Sequence, residues 1–327
     1  MLCLSHWPVE VKCILVICQR TGLPMAKFAG RRLLSIAAVY VLIVFATHMG
    51  LRMSRNSEVA QPNYDLRQHS LYAWRATRQT LSDLLRGELG TVRTERGPIP
   101  VEEYVASAYL NSAGLLAVAV AIAASLGTAL GILAAVARAR IVSLSLLAVT
   151  VLGISAPSFF AGVLLQVGEL YYLRAFGRRL VSIAGFGWDL EHMLLPVLVL
   201  AARPLAYLTR ATYVSMEHVL AEDYIRTAFA KGLAVSITVL RHALRYVAVP
   251  VLTAVGVSVR FSLSSLPVVE FLFAWPGLGR SLLSAISERQ TSLVVALASA
   301  LGLTFLAVNL ALDLLYRMID PRIRERG

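Results

Sequence analysis

The sequence predicts an all-α membrane protein with six transmembrane helices and a helical loop on one side. Three observations carry this reading. The 327-residue chain is 57% hydrophobic and only 15% charged, where soluble domains average about 25% charged residues. Its apolar residues gather into runs close to the ~20 residues a spanning helix needs. One long polar stretch, residues 210–245, lies between two such runs and favours helix by composition. A β-barrel would need short alternating strands, and the sequence has none of that pattern.

The elements follow in chain order. Residues 1–24 form an N-terminal extension outside the predicted fold. Within it, Val11–Cys18 is too short for a secretory signal and no small-residue cleavage site follows. Cys3, Cys13 and Cys18 all lie here and have no metal-ligand spacing. Residues 25–51 hold the first transmembrane helix, apolar from Leu33 to Leu51 and preceded by Lys27, Arg31 and Arg32. Residues 52–104 are polar and mixed in charge, broken by Gly87, Gly90, Gly97, Pro98 and Pro100, which predicts a small helical extramembrane segment. Residues 105–319 make a core of five helices, and 320–327 a short tail.

The first core span, Ala106 to Val136, carries Gly127 and Gly131, four apart. Small residues at that spacing let helices approach closely, here as general packing rather than a dimer face. The next, Val142 to Tyr172, should kink at Pro157, which removes a backbone donor. Met193 to Thr209, Tyr246 to Phe273 and Ser292 to Met318 complete the set. Pro276-Gly277-Leu278-Gly279 reads as a turn, and Glu270 as a group that caps or packs that loop.

Six spans place both termini on one side. The tails and the loops at 137–141 and 210–245 hold fifteen Lys and Arg, and the opposite side thirteen, eight of them in the long 52–104 segment. Short loops orient a chain more strongly than long ones, so the tails and the 210–245 loop are cytoplasmic and 52–104 is extracytoplasmic. The net charge of +12 therefore reads as orientation in lipid, not as a nucleic-acid surface. The six histidines are scattered and suggest no metal site.

Within the loop, Asp223 stands where a helix should begin, with its carboxylate free to cap backbone donors. Lys231-Gly232 reads as the helix end, and a second helix follows from about Ser236 to Tyr246. Ala228 and Ala230 are small and suit close approach by a partner. The run Glu222-Asp223-Tyr224-Ile225-Arg226-Thr227-Ala228-Phe229-Ala230-Lys231-Gly232, continued by Leu240-Arg241-His242-Ala243-Leu244 and Pro250, resembles the coupling loop of the dipeptide/oligopeptide/nickel permeases of ABC importers. Gly153 to Phe159, Val268 to Arg280, and Asn309-Leu310 with Asp313 and Asp320-Pro321-Arg322 resemble further motifs of that family in the same order. Phe229 and Tyr246 depart from its usual arginine and asparagine.

The resemblance implies a type I ABC importer permease fold in a prokaryotic plasma membrane. It implies a permease subunit for short peptides that forms the translocation path, with nickel, glutathione or oligosaccharides as alternative cargo in the same family. The expected partners are a second homologous permease, two cytoplasmic ATPase subunits and an extracytoplasmic solute-binding protein. The coupling residues would be Glu222, Asp223, Tyr224, Arg226, Thr227, Ala228, Ala230, Lys231 and Gly232. The chain has no Gly-x-x-x-x-Gly-Lys-Ser/Thr phosphate loop, so ATP and Mg belong to the partner ATPases, and this subunit is no enzyme. A channel would need no ATPase, and a membrane enzyme would need clustered catalytic groups at one depth.

Arg203 and Arg260 lie about ten residues from the outer ends of their spans, at a shared level. An arginine at that depth costs a few kcal/mol or more. One reading has them line the substrate path and attract a carboxylate. The other has them bond backbone carbonyls, such as the one Pro204 frees beside Arg203, or pair with Glu169 or Glu270. Asp313 is expected to pair locally with Arg317.

Overall fold

The computed structural model describes residues 22–57, 66–87, 89–94, 97–137 and 155–319, with scattered positions between 141 and 153. The three cysteines and the 320–327 tail lie outside the described residues. The chain divides into two units, Met1–Gln79 and Thr80–Gly327.

In the first unit, helix α1 spans Gly22–Ser57. It runs beyond Leu51 because no glycine or proline interrupts residues 52–57. Leu33, Leu34 and Leu42 are exposed along it, as lipid contact requires. Helix α2, Leu66–Arg86, begins in this unit. The Arg52 Nε donates to His69 Nδ1 at 3.1 Å, and its guanidinium lies 3.8 Å from the Tyr72 ring centre. His69, Ala73 and Thr77, spaced by four, form the buried stripe of α2, as helical periodicity dictates.

The second unit corrects the expectation of a purely helical 52–104 segment. Strands β1 (Thr91–Thr94) and β2 (Gly97–Pro100) pair antiparallel, Val92 opposite Ile99. Gly90 leads into β1 and Gly97 opens β2 with φ of 83° and 117°, which only glycine adopts without strain. Helix α3, Val101–Val136, starts directly after β2 with Glu102 and Glu103 in its first turn, where the helix dipole favours acids.

The predicted kink at Pro157 is a break. Pro157 is extended (φ −61°, ψ 138°) and helix α4, Ser158–Phe176, begins after it. The residue before proline disfavours helical geometry, so the chain leaves the helix at Ala156. Most of the predicted Val142–Tyr172 span before this break lies outside the described residues. Helix α5, Leu190–Leu220, is capped by Asp189, whose Oδ1 accepts the His192 amide at 3.0 Å. That carboxylate also bonds the His192 ring at 2.9 Å, and these bonds hold its pKa below the usual value. Helix α6 is Asp223–Ala230. Helix α7, Val235–Leu272, includes a π-helical stretch at Thr238–Ala243. Helices α8 (Leu278–Ser287) and α9 (Thr291–Ile319) close the chain.

Among the described residues five helices are long and apolar enough to cross a membrane, namely Leu33–Ser54, Val101–Val136, Leu190–Leu220, Val235–Leu272 and Thr291–Leu315. Helix α5 is the most enclosed, with 56% of its apolar window buried. It lies against α3 and α7 around Leu115, Ala119, Leu200, Leu208 and Leu266.

Gly127 and Gly131 explain how α3 and α5 meet. A methyl group on Gly127 would stand 2.8 Å from Leu208 Cβ, and one on Gly131 would stand 2.6 Å from the Thr209 carbonyl oxygen. The pair serves packing within this chain, as its spacing suggested. At the far end of α7 the Glu270 carboxylate is fully buried. It accepts the Ser112 hydroxyl, the Gly279 amide at 2.7 Å and the Arg280 amide at 3.4 Å. Trp275 Nε1 donates to Asn111 O at 3.1 Å, and Asn111 Nδ2 returns a bond to Pro276 O at 3.0 Å. The Pro276–Gly279 turn is thereby tied to α3, and Glu270 packs that loop as expected.

The close α3–α5 approach makes a direct prediction. Gly131→Val forces its side chain into the Thr209 backbone and should cost about 1–3 kcal/mol. Thermal unfolding of the purified protein should show a lowered midpoint, whereas an unchanged midpoint would mean the helices are not in contact there.

Candidate coupling surface and intramembrane charges

Helix α6 has eight residues, too few to persist alone. It persists because it is seated. Ile225 is fully buried and Ala228, one turn later, is 6% exposed. Ile225 packs with Met216 of α5 and with Val239, Ala243 and Val247 of α7. Burying such a side chain contributes roughly 1.5–3 kcal/mol. The Tyr224 ring adds a tilted contact with Tyr246, centroids 5.3 Å apart.

Both helix ends differ from a loose loop. Glu222 occupies the N-cap position, and its carbonyl receives the Ile225 and Arg226 amides at 3.1 and 3.2 Å. Its side chain makes no cap, and neither does that of Asp223, contrary to expectation. Asp223 already lies in the first turn, where its charge favours the helix dipole and its Oδ1 stands 3.5 Å from Arg226. Both partners of that pair are largely exposed, so it contributes little. The Thr227 hydroxyl donates to Asp223 O at 2.9 Å. Lys231 is the C-cap, as the sequence predicted, and Gly232 follows at φ 78°. The Gly232 amide reaches Phe229 O at 2.9 Å and the Leu233 amide reaches Ala228 O at 3.3 Å, the paired bonds of a Schellman stop.

The predicted coupling residues thus divide between two faces. Ala228 faces the core of its own chain instead of a partner, because it lies three residues from Ile225 and shares its face. Glu222, Asp223, Tyr224, Arg226, Thr227, Ala230, Lys231 and Gly232 are exposed. The sequence reading missed the apolar groups around them: Phe229 (40% exposed), Val235, Ile237 and Leu240 (67%) are large, apolar and uncovered. The signal was present, since four apolar residues in a polar loop exceed what one buried face needs. The reading also missed Ile225, the seat itself.

The charges within the helices are also settled in part. The Arg203 guanidinium carbon lies 5.2 Å from the Phe261 ring centre, within cation–π range. Phe261 adjoins Arg260, so both arginines share a level, as predicted. The carbonyl that Pro204 frees, Leu200 O, accepts the Ser262 hydroxyl at 3.3 Å instead of serving Arg203. Neither expected acid takes an arginine side chain: Glu169 accepts the Leu180 and Val181 amides at 2.8 and 3.3 Å, and Glu270 serves the turn. Arg260 Nη2 instead stands 3.6 Å from Asp313 Oδ1 on α9. The side chain of Arg317, the partner expected for Asp313, lies outside the described residues. An apolar cleft of about 360 Å³ lies between α3, α7, α8 and α9, lined by Ala117, Val120, Val259, Leu263, Thr304 and Val308 among others.

Five long apolar helices among the described residues and a short helix seated between two of them are the frame of a multi-pass membrane protein. Residues 127–325 match the family model of the binding-protein-dependent transport system inner membrane component. The dipeptide transport system permease protein DppB of Escherichia coli K12 is 32% identical over 95% of this chain and 98% of its own length. The glutathione transport system permease protein GsiC of E. coli K12 is 36% identical over 75% of this chain and 78% of its own. The chain belongs to the binding-protein-dependent transport system inner membrane component family. It is a permease subunit of an ABC importer and not an enzyme.

The C-terminal stop of α6 is testable in isolation. No atom lies within 4 Å of a Cβ placed on Gly232, so Gly232→Ala adds only backbone strain, about 1–2 kcal/mol. Hydrogen exchange at the Gly232 and Leu233 amides should accelerate roughly tenfold, with exchange in α5 unchanged. An unaltered rate would mean that this turn does not hold a left-handed residue.

Proposed function

We propose that this chain is the permease of a peptide importer, with α6 as its coupling helix. The observation that carries the reading is the two-sidedness of α6. Its inner face is fixed through Ile225 to Val239, Ala243 and Val247 of α7. Its outer face presents Arg226, Phe229 and Ala230, continued by the exposed Val235, Ile237 and Leu240. An uncovered apolar patch beside a polar rim suits a protein partner. A cytoplasmic ATPase subunit gripping that patch would displace α6, and the displacement would pass into a helix that continues to Leu272.

The assembly pairs this chain with a second permease of the same kind, two ATPases that hold ATP and Mg, and an extracytoplasmic binding protein. Six spans cross the bilayer, the termini and residues 210–245 are cytoplasmic, and 52–104 faces outward. Relatives named for dipeptide and glutathione transport support a short peptide as cargo. Arg203 and Arg260 face the translocation path. Each is exposed in the single chain although it lies mid-helix, a position that charge occupies at acceptable cost only beside a cavity or a partner.

Cysteine placed at Ala230 in the complete transporter should crosslink to an ATPase subunit, and the same change at Ala228 should not. Equal crosslinking at both positions, or none at Ala230 in an intact complex, would overturn the assignment. ATP-dependent uptake of a dipeptide in cells that lack their own dipeptide importer tests the cargo.

A further inference from the structure

We propose that Asp313 is a displaceable counter-ion for Arg260, and that the substrate carboxylate takes its place during transport. The inference rests on the peptide reading above and deepens it by naming the group the substrate displaces.

Three observations converge. First, Arg260 on α7 and Asp313 on α9 come within 3.6 Å, yet their side chains are 42% and 21% exposed. A structural ion pair inside a membrane protein would be enclosed and close. This one is open on one side and at the long end of ion-pair distance. Second, the apolar cleft reaches the same level of both helices. Val259, next to Arg260, and Val308, just over a turn before Asp313, both line it, so an apolar side chain and a carboxylate can be met together at this level. Third, the pair joins two helices that differ in their ties to the loop. Helix α7 is continuous from the α6 seat at Val239 to beyond Arg260. A shift of α7 along α9 by a few ångströms lengthens an already long contact and exposes the guanidinium to a new anion.

Arg260 therefore has a compensating charge in the empty state, which limits the cost of keeping it at this depth. Substrate entry exchanges one carboxylate for another at the same guanidinium, which suits planar bidentate recognition of carboxylates. Arg203, stacked over Phe261 at the same level, keeps the site positive after the exchange.

The test uses the assembled transporter and two probes, dialanine and its C-terminal amide. ATP-driven uptake is measured with the same binding protein throughout, so a change in the ratio between variants belongs to the permease. Asp313→Asn removes the competitor. Half-saturation for dialanine should then fall at least about tenfold, the scale of coupling between close charge pairs, with little change for the amide. Arg260→Gln should bring the two probes closer together. If Asp313→Asn fails to assemble, the double variant Arg260→Gln/Asp313→Asn removes both charges of this pair and should assemble without the dialanine gain. Wild-type ratios in Asp313→Asn, or a wild-type preference in the double variant, would overturn the exchange while leaving the peptide reading intact. A wild-type complex that imports neither probe but does import another class of solute would overturn both.

Discussion

The burial of Ile225 is the contact on which the rest of the structure depends. Without it α6 would be eight residues of exposed helix, unable to hold its shape and unable to move anything. With it, α6 joins a cluster made of Met216, Val239, Ala243 and Val247. The helix ends are fitted to that seat. A Schellman stop at Gly232 turns the chain back toward α7 within a few residues, and Tyr224 braces the other end on Tyr246. A force applied to the exposed face thus arrives at a 38-residue helix through packed atoms instead of a flexible link.

The opposite end of α7 is fixed by other means. Glu270, Ser112, Asn111 and Trp275 tie the Pro276–Gly279 turn to α3 through buried and half-buried hydrogen bonds. Buried polar networks of this kind, fully satisfied, specify one arrangement. The middle of the bundle is less constrained, with an apolar cleft, two exposed arginines and an open ion pair.

Much of this was legible in the sequence because it follows from local rules. Spanning length, the Lys231-Gly232 helix stop, the packing role of Gly127 and Gly131 and the turn at Pro276–Gly279 are all set by neighbouring residues. What failed depended on the third dimension. Asp223 reads as a cap until the backbone places Glu222 in that position. Ala228 reads as a docking surface until Ile225 fixes which face is inside. Pro157 reads as a kink, but the backbone at Pro157 is extended and the helix ends there. The contact of Arg260 with Asp313 could not be read either, because it joins two helices far apart in sequence. The hairpin at 91–100 escaped because its strands have four residues each, below the length at which alternation can be read.

The most direct measurement is the coupling ratio of an Ile225→Ala transporter, peptide imported per ATP hydrolysed, in a complex shown to be intact. The substitution leaves the outer face of α6 unchanged and removes its seat. The account predicts that ATP hydrolysis persists while import falls, so that the ratio drops severalfold. An unchanged ratio would contradict it, because force would then reach the spans by a route that does not pass through Ile225.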